Sequence, residues 1–191
     1  MPDHDRLVAL LAERSARRGN FTLASGRKST LYIDARLTTM SPEGLALIGP
    51  IALARLNELG WKVDAVGGLT LGADPISYAI AYASSTSSRL IRAFTVRKEI
   101  KAHGTGRLIE GPFREGDTVA IIEDVITTGA SALRAVEAVR NAGATIAGVL
   151  ALVDREEGGR EALTSAGLQV ISLTRASEIV AVLPPAVSSE S

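Results

Sequence analysis

The chain has 191 residues, 46% of them hydrophobic, and 21 Lys plus Arg against 21 Asp plus Glu. This zero net charge speaks against general nucleic-acid or membrane-surface binding but leaves room for a local basic site facing a phosphorylated small molecule. Cysteine is absent, which excludes disulfides and Cys-ligated metals and fits the cytoplasm. The first ten residues lack the basic-then-apolar order of a secretion signal, and no stretch reaches the ~18 uninterrupted apolar residues of a membrane helix.

Residues 5–18 predict an amphipathic helix, with Leu7, Leu10 and Leu11 on one face and Gly19 as its end. FTLASGRKSTLYID (residues 21–34) predicts a strand, a glycine turn and a second strand. Ser41-Pro42-Glu43 combines a capping serine, a proline at the first helical position and an early acid, and predicts a helix running to about Leu59, where Gly60 closes it. VDAVGGL (63–69) is an apolar run of strand length, and Asp74-Pro75 opens a helix reaching about Ala83. After a polar connection, residues 90–97 are strand-like, residues 118–124 read as a buried strand, and residues 131–143 read as a helix that stops at Gly143, with Leu133, Val136 and Val139 on one face. TIAGVLALVD (145–154) is another buried strand, followed by a short helix near 160–166, the strand LQVISL (168–173) and a tail, LPPAVSSES, disordered at its end.

Apolar strands alternating with helices predict an α/β fold: one domain over residues 1–191, with a mostly parallel sheet flanked by helices. Ligands of such sheets bind beyond the carboxyl ends of the strands. There the segment VAIIEDVITTGAS (119–131) carries a buried strand into Glu123 and Asp124, then Thr127, Thr128, Gly129 and Ser131, then a helix. Hydroxyls, a glycine and free N–H groups at a helix start make an anion cradle. Two carboxylates would repel an anion, so they belong on neutral sugar hydroxyls or near a divalent cation. A cap by Thr127 or Thr128 accounts for any one residue, but it does not need adjacent acids at a strand end.

A second segment, residues 96–111, holds Arg97, Lys98, Lys101, His103 and Arg107 between two predicted strands, with Gly104, Gly106 and Gly111 as hinges. A connection of this length without its own structure reads as a basic lid over a polyanion, against the blander reading of a solvated charge run. No G-x-G-x-x-G follows any strand and no Walker loop is present, so a dinucleotide binder and a P-loop enzyme are set aside.

The string 119–131 resembles the ribose-diphosphate motif of type I phosphoribosyltransferases. RKE-x-K-x-H-G (97–104) followed by Ile109-Glu110-Gly111 resembles the lid of the orotate phosphoribosyltransferases in particular, and residues 21–34 and VDREEGG (153–159) are similar to two further segments of that family. The resemblance spans about Phe21 to Leu173. It implies Mg²⁺-dependent transfer of 5-phosphoribose from 5-phosphoribose-1-diphosphate to orotate, and a homodimer whose lids (about 98–111) cross to the neighbouring site. It also implies a small hood built from residues 1–40 and the C-terminal segment. Glu123 and Asp124 would hold the ribose hydroxyls, while Val125, Ile126, Thr127, Thr128, Gly129, Ala130 and Ser131 would wrap the 5′-phosphate. Arg97, Lys98, Lys101 and His103 would meet the pyrophosphate, with Lys101, His103 and Asp124 catalytic. Arg155 and Thr127 would contact orotate in a slot lined by Tyr32 and Ile33. Residues 67–72, GGLTLG, would lie under the pyrophosphate with a non-proline cis peptide, although a plain strand-to-helix turn explains their composition equally well. Magnesium would be held mostly by substrate oxygens and water, with no direct side-chain ligand.

Ala24 and Gly72 depart from the family, where lysine is frequent at both positions, so charge neutralisation falls more heavily on the lid and on magnesium. A different acceptor base, or a sensor of the ribose diphosphate that keeps the fold without turnover, are the alternative readings.

Overall fold

A computed structural model describes residues 2–22, 28–99 and 108–184. Its elements in chain order are α1 (Pro2–Arg14), β1 (Ala16–Thr22), β2 (Lys28–Ile33), α2 (Arg36–Thr39), α3 (Pro42–Glu58), β3 (Ala65–Leu69), α4 (Ala73–Ser84), β4 (Arg92–Val96), β5 (Ile109–Glu110), β6 (Thr118–Ile126), α5 (Ala130–Asn141), β7 (Thr145–Asp154), α6 (Gly159–Ser165), β8 (Val170–Arg175) and α7 (Ala176–Val182).

Six strands form the main sheet in the order β5-β4-β3-β6-β7-β8. All neighbours are parallel except β5, which runs antiparallel to β4. The expected α/β architecture with a mostly parallel sheet is therefore the one found. Both faces are covered, because strands buried on two sides must alternate their apolar residues between two cores. On β6, Ile122 joins Leu7, Leu11, Ile48, Ile76 and Ile80 on one face, while Ile121 joins Phe94, Val136, Val139 and Leu163 on the other.

The local rules hold where they were strongest. Ser41 Oγ accepts a hydrogen bond from the Gly44 N–H at 3.1 Å at the start of α3, and Gly60 has φ 67° just past its end, a left-handed turn that glycine adopts without steric cost. Gly67 and Gly68 are required by close approach: a Cβ on the first would run into Phe94, and one on the second into the Ile122 carbonyl and Ala73.

Four elements correct the sequence reading. The first helix ends at Arg14 rather than at residue 18, and residues 16–22 form β1, with Gly19 inside it beside a register shift between Arg18 and Phe21. The apolar stripe stops at Leu11 and Ala12, so a further helical turn would have nothing to bury. The chain instead pairs with β2, and Ser15 Oγ lies 2.7 Å from Thr38 Oγ1 in a buried contact. The helices α2 and α7 and the two-residue strand β5 were not foreseen. α7 is secured by Ile179, which is fully buried, and by Glu178, whose carboxylate accepts the Arg175 N–H at 2.7 Å. The tail expected to be disordered lies outside the described residues from position 185 onward. Among the described residues, no helix is long and apolar enough to cross a membrane.

Candidate active site

A cavity of about 360 Å³ opens at the carboxyl ends of β3 and β6, bounded by the end of β2 and the start of α2. It gathers Tyr32, Ile33, Lys98, Glu123, Asp124, Val125, Thr127, Ser131 and Arg155 from four separate stretches of chain. These are residues that sequence reasoning assigned to a single site.

The two acids differ sharply. Glu123 is 8% exposed, and its Oε2 has no hydrogen-bond partner among the described residues. Burial, followed by the neighbouring Asp124 charge and a hydrogen bond to it, pushes the Glu123 carboxyl up to about 9. Asp124 is half-buried, and its Oδ1 accepts the Val125 N–H at 2.8 Å. Beyond them, Gly129 (φ 80°) starts α5 with no side-chain cap, so neither Thr127 nor Thr128 acts as the N-cap. Among the described residues, Thr128 Oγ1 accepts only the Ala130 N–H, at 3.4 Å. Thr128, Ala130 and Ser131 are exposed, whereas the Ile126 side chain is in the core and its carbonyl accepts the Arg155 N–H at 2.9 Å.

Arg155 is 8% exposed and already held on several sides. Its Nη2 donates to Glu157 Oε1 at 2.6 Å, and to Ser29 Oγ and the Leu31 carbonyl at 3.2 Å each. A guanidinium fixed in this way joins the end of β7 to β2. Tyr32 faces the cavity with its ring 5.4 Å from that of Phe21.

Arg97 turns from this cavity to a neighbouring one of about 420 Å³, where it pairs with Glu110 at 3.2 Å. Lys98 lines both cavities, and its carbonyl accepts Arg134 Nη2 at 2.9 Å. Lys101 and His103 lie outside the described residues, as does Ala24.

Sequence reasoning missed Asp34, Ala35 and Arg36, which also line the cavity. Arg36 grips Asp34 through Nε and Nη2 at 2.8 Å each, and that hydrogen bonding holds the Asp34 carboxyl below the usual carboxylate range. Their signal was the acid–Ala–Arg spacing at the end of a predicted strand. The loop Leu69–Gly72 closes the floor, with a cis peptide between Thr70 and Leu71. A Cβ at Gly72 would collide with the Asp124 carboxylate.

The cavity's carboxylates are therefore Asp34, already paired with Arg36, together with Glu123 and Asp124. Among the described residues, no three His, Cys, Asp or Glu side chains form a metal-binding group. The Asp124 carboxylate suits a nearby hard divalent cation that takes its shell from a ligand and water, whereas Glu123, pushed toward its neutral form by burial, does not.

A parallel sheet with acids, hydroxyls and an uncapped helix start at its carboxyl edge has the build of an enzyme handling a phosphorylated sugar. The family described as phosphoribosyl transferase domain matches residues 39–182, from the end of α2 to the end of α7. An orotate phosphoribosyltransferase of Aquifex aeolicus is 46% identical over 183 residues, covering 94% of this chain and 99% of that protein. One from Sorangium cellulosum is 45% identical and covers 96% of each. The crystal structure of the Mycobacterium tuberculosis enzyme in complex with 5-phospho-alpha-D-ribosyl 1-diphosphate is similar with a TM-score of 0.77 at 40% identity, covering 94% of this chain and 99% of that one. The chain belongs to the phosphoribosyltransferases and, within them, to the orotate phosphoribosyltransferase family.

Proposed function

We propose that the chain transfers the 5-phosphoribosyl group of 5-phosphoribose-1-diphosphate to orotate, giving orotidine 5′-monophosphate and pyrophosphate in pyrimidine synthesis. The observation that carries this reading is the convergence of a fixed guanidinium, Arg155, with the acids and hydroxyls of residues 123–131 around one cavity. A guanidinium suits an acceptor bearing a carboxylate, which favours orotate over uracil or a purine.

In the reaction, the bond from ribose C1′ to the pyrophosphate oxygen breaks and its electron pair leaves with pyrophosphate. An orotate ring nitrogen then bonds to C1′ as its N–H bond breaks, and that proton passes to the departing pyrophosphate or to water. Positive charge grows on the sugar and negative charge on the leaving group, so fixed charges on either side lower the barrier. Asp124 accepts a ribose hydroxyl and holds negative charge beside the sugar. Glu123 meets the neighbouring hydroxyl, its proton serving as donor. Val125 to Ser131 surround the 5′-phosphate with N–H groups and hydroxyls at the start of α5. Arg97 and Lys98 stand on the pyrophosphate side. Lys101 and His103, on a lid that must be shorter than the expected 98–111 because Ile109 and Glu110 pair with β4, complete the charge and exclude water that would hydrolyse the activated sugar. Magnesium beside Asp124 would supply charge neutralisation on the pyrophosphate.

The residues before about 40, with the C-terminal segment, serve as a hood over the acceptor. The working form is a homodimer whose lids cross between subunits. An exposed stripe of Leu71 (53%), Tyr78 (54%) and Tyr82 (83%) supports an interface next to the cavity. Pyrophosphate release measured side by side with orotate, uracil, hypoxanthine and adenine tests the assignment. Orotate should turn over fastest, and faster turnover of any other base would overturn it.

A further inference from the structure

We infer that Asp74 is a positioning residue for the loop at Leu69–Gly72, holding it in the shape that receives pyrophosphate. The inference rests on the reading of that loop as the floor of the pyrophosphate site.

An acid in the first turn of a helix ordinarily stands in water, where it complements the helix dipole. Asp74 has this position on α4 but is only 8% exposed. Both of its oxygens are taken by hydroxyls from other parts of the fold. Thr70 Oγ1 donates to Oδ2 at 2.7 Å, and Thr95 Oγ1, on β4, donates to Oδ1 at 2.8 Å. Tyr78 Oη lies 3.1 Å from Thr95 Oγ1. A hydroxyl has one proton, and that of Thr95 is spent on Asp74, so Tyr78 is the donor in that contact. The result is a directed chain, from Tyr78 to Thr95 to Asp74, met from the other side by Thr70.

Thr70 is also held by its backbone, whose N–H donates to the Val96 carbonyl at 2.8 Å. The residue that lines the cavity beside Glu123 and Asp124 is thus fastened twice to the end of β4 and the start of α4. A free carboxylate this close to a polyanion would repel it. Burying Asp74 behind the loop, with both oxygens occupied, turns that charge into a brace. Preorganisation of this kind appears as affinity for the group the loop receives, because the ordering cost is met before binding.

The test is a comparison of Thr95→Val, which keeps the shape and loses the hydroxyl, with Thr95→Ser, which keeps the hydroxyl. Steady-state kinetics are run in both directions alongside thermal melts. Thr95→Val should raise KM for 5-phosphoribose-1-diphosphate and for pyrophosphate about tenfold, the scale of one hydrogen bond to a charged group. KM for orotate and for orotidine monophosphate should stay within about twofold, and Thr95→Ser should restore the pyrophosphate-side constants. Tyr78→Phe removes only the hydroxyl at the far end of the chain, leaves the ring that the proposed interface would cover, and keeps the proposal falsifiable should Thr95→Val fold poorly. It should shift the same two constants in the same direction by about twofold. Equal losses for all four substrates together with a lowered melting temperature, failure of serine to rescue, or no change in KM would each overturn the inference. Backbone amide signals of residues 69–72, followed by NMR as magnesium pyrophosphate is added to the wild-type protein, separate this from the parent reading. If they do not move, the loop is not the pyrophosphate floor and both readings fall. If they move but Thr95→Val and wild type bind pyrophosphate equally, only the role of Asp74 falls.

Discussion

Two strand-to-helix turns lie side by side at the carboxyl edge of the sheet, and they use their polar groups in opposite ways. The β6–α5 turn holds a buried acid with an oxygen unpartnered among the described residues, a half-buried acid and an uncapped helix start. Its polar groups are left for something outside the chain. The β3–α4 turn spends its own inward: Thr70 and Thr95 satisfy Asp74, and Thr70 is also pinned to Val96. One turn is equipped to grip a ligand, and the other is built to hold still beneath one. Unspent polar groups at a buried strand end are costly to the fold, which supports the proposal that the first turn is where ligand chemistry occurs.

The largest effect should come from the gripping turn. Asp124→Asn is near-isosteric and removes the charge beside the ribose, so kcat/KM should fall ~10²–10³-fold with the melting temperature nearly unchanged. Wild-type turnover in this variant would remove Asp124 from the mechanism. The same variant sharpens the dimer proposal when mixed with Lys101→Ala, which spoils the donated lid. In a heterodimer, one site inherits both defects and the other neither. Random pairing should then restore up to about a quarter of wild-type activity. No recovery, with heterodimers shown to form, would mean that each lid serves its own subunit.

Arg155→Ala should follow, raising KM for orotate about 10–100-fold while KM for the ribose diphosphate changes little, since a charge-assisted contact to one substrate alone is lost. Arg155 also bonds Ser29 and Leu31, so Arg155→Lys, which keeps charge without the planar fork, should recover only part of the loss. Equal rises for both substrates would show the residue to be a brace between β7 and β2 instead.

The contrast between the turns also explains what could be read from sequence. β6 and β7 were legible because unbroken apolar runs are buried on both faces, and β7 was predicted with its observed ends. The 119–131 string was legible because its adjacent acids at a strand end have no use in a cap. The composition of GGLTLG was not, because glycines between a strand and a helix suit any turn; only the family resemblance gave the non-proline cis peptide that the structure has between Thr70 and Leu71. The loop's meaning lies in Thr95, 21 residues from Asp74 on a neighbouring strand. Asp74 reads in the sequence as a helix start, which it is, but its carboxylate faces the loop. Arg36 was missed because α2 has one short turn and no apolar period to announce it.

An effect on stability rather than turnover concerns Glu123, the acid held near 9 by burial. Below its ordinary value of 4.5 both folded and unfolded chains carry the proton, and stability does not depend on it. Between 4.5 and about 9 the unfolded chain gives up the proton while the folded chain keeps it, so stability falls as pH rises through that window. Glu123→Gln removes this slope, which is at most ~1.4 kcal/mol per pH unit for one group. The melting temperature of the variant minus that of the wild type should therefore increase steadily from pH 5 to pH 8. A difference constant with pH would mean that Glu123 is charged in the folded protein.

The smallest effect joins the two turns at their point of contact. Gly72 has φ −65° and ψ −41°, an ordinary helical conformation, so alanine fits its backbone without strain. A glycine replaced by alanine at a compatible position commonly gains ~0.4–1 kcal/mol, through the unfolded state. The obstacle at Gly72 is the Asp124 carboxylate, which occupies the space a Cβ would need. Because that carboxylate is the end of a rotatable side chain, Gly72→Ala should turn it aside rather than disturb the sheet. Stability should hold or rise slightly, while kcat/KM for the ribose diphosphate falls by about three- to tenfold. That is a fraction of the Asp124→Asn loss, since the charge is displaced but not removed. Thermal melts and kinetics on the same preparation check both signs. A fall in stability would mean that the turns are packed as one rigid unit, and unchanged kinetics would mean that the position of Asp124 against Gly72 is not the one that meets the ribose.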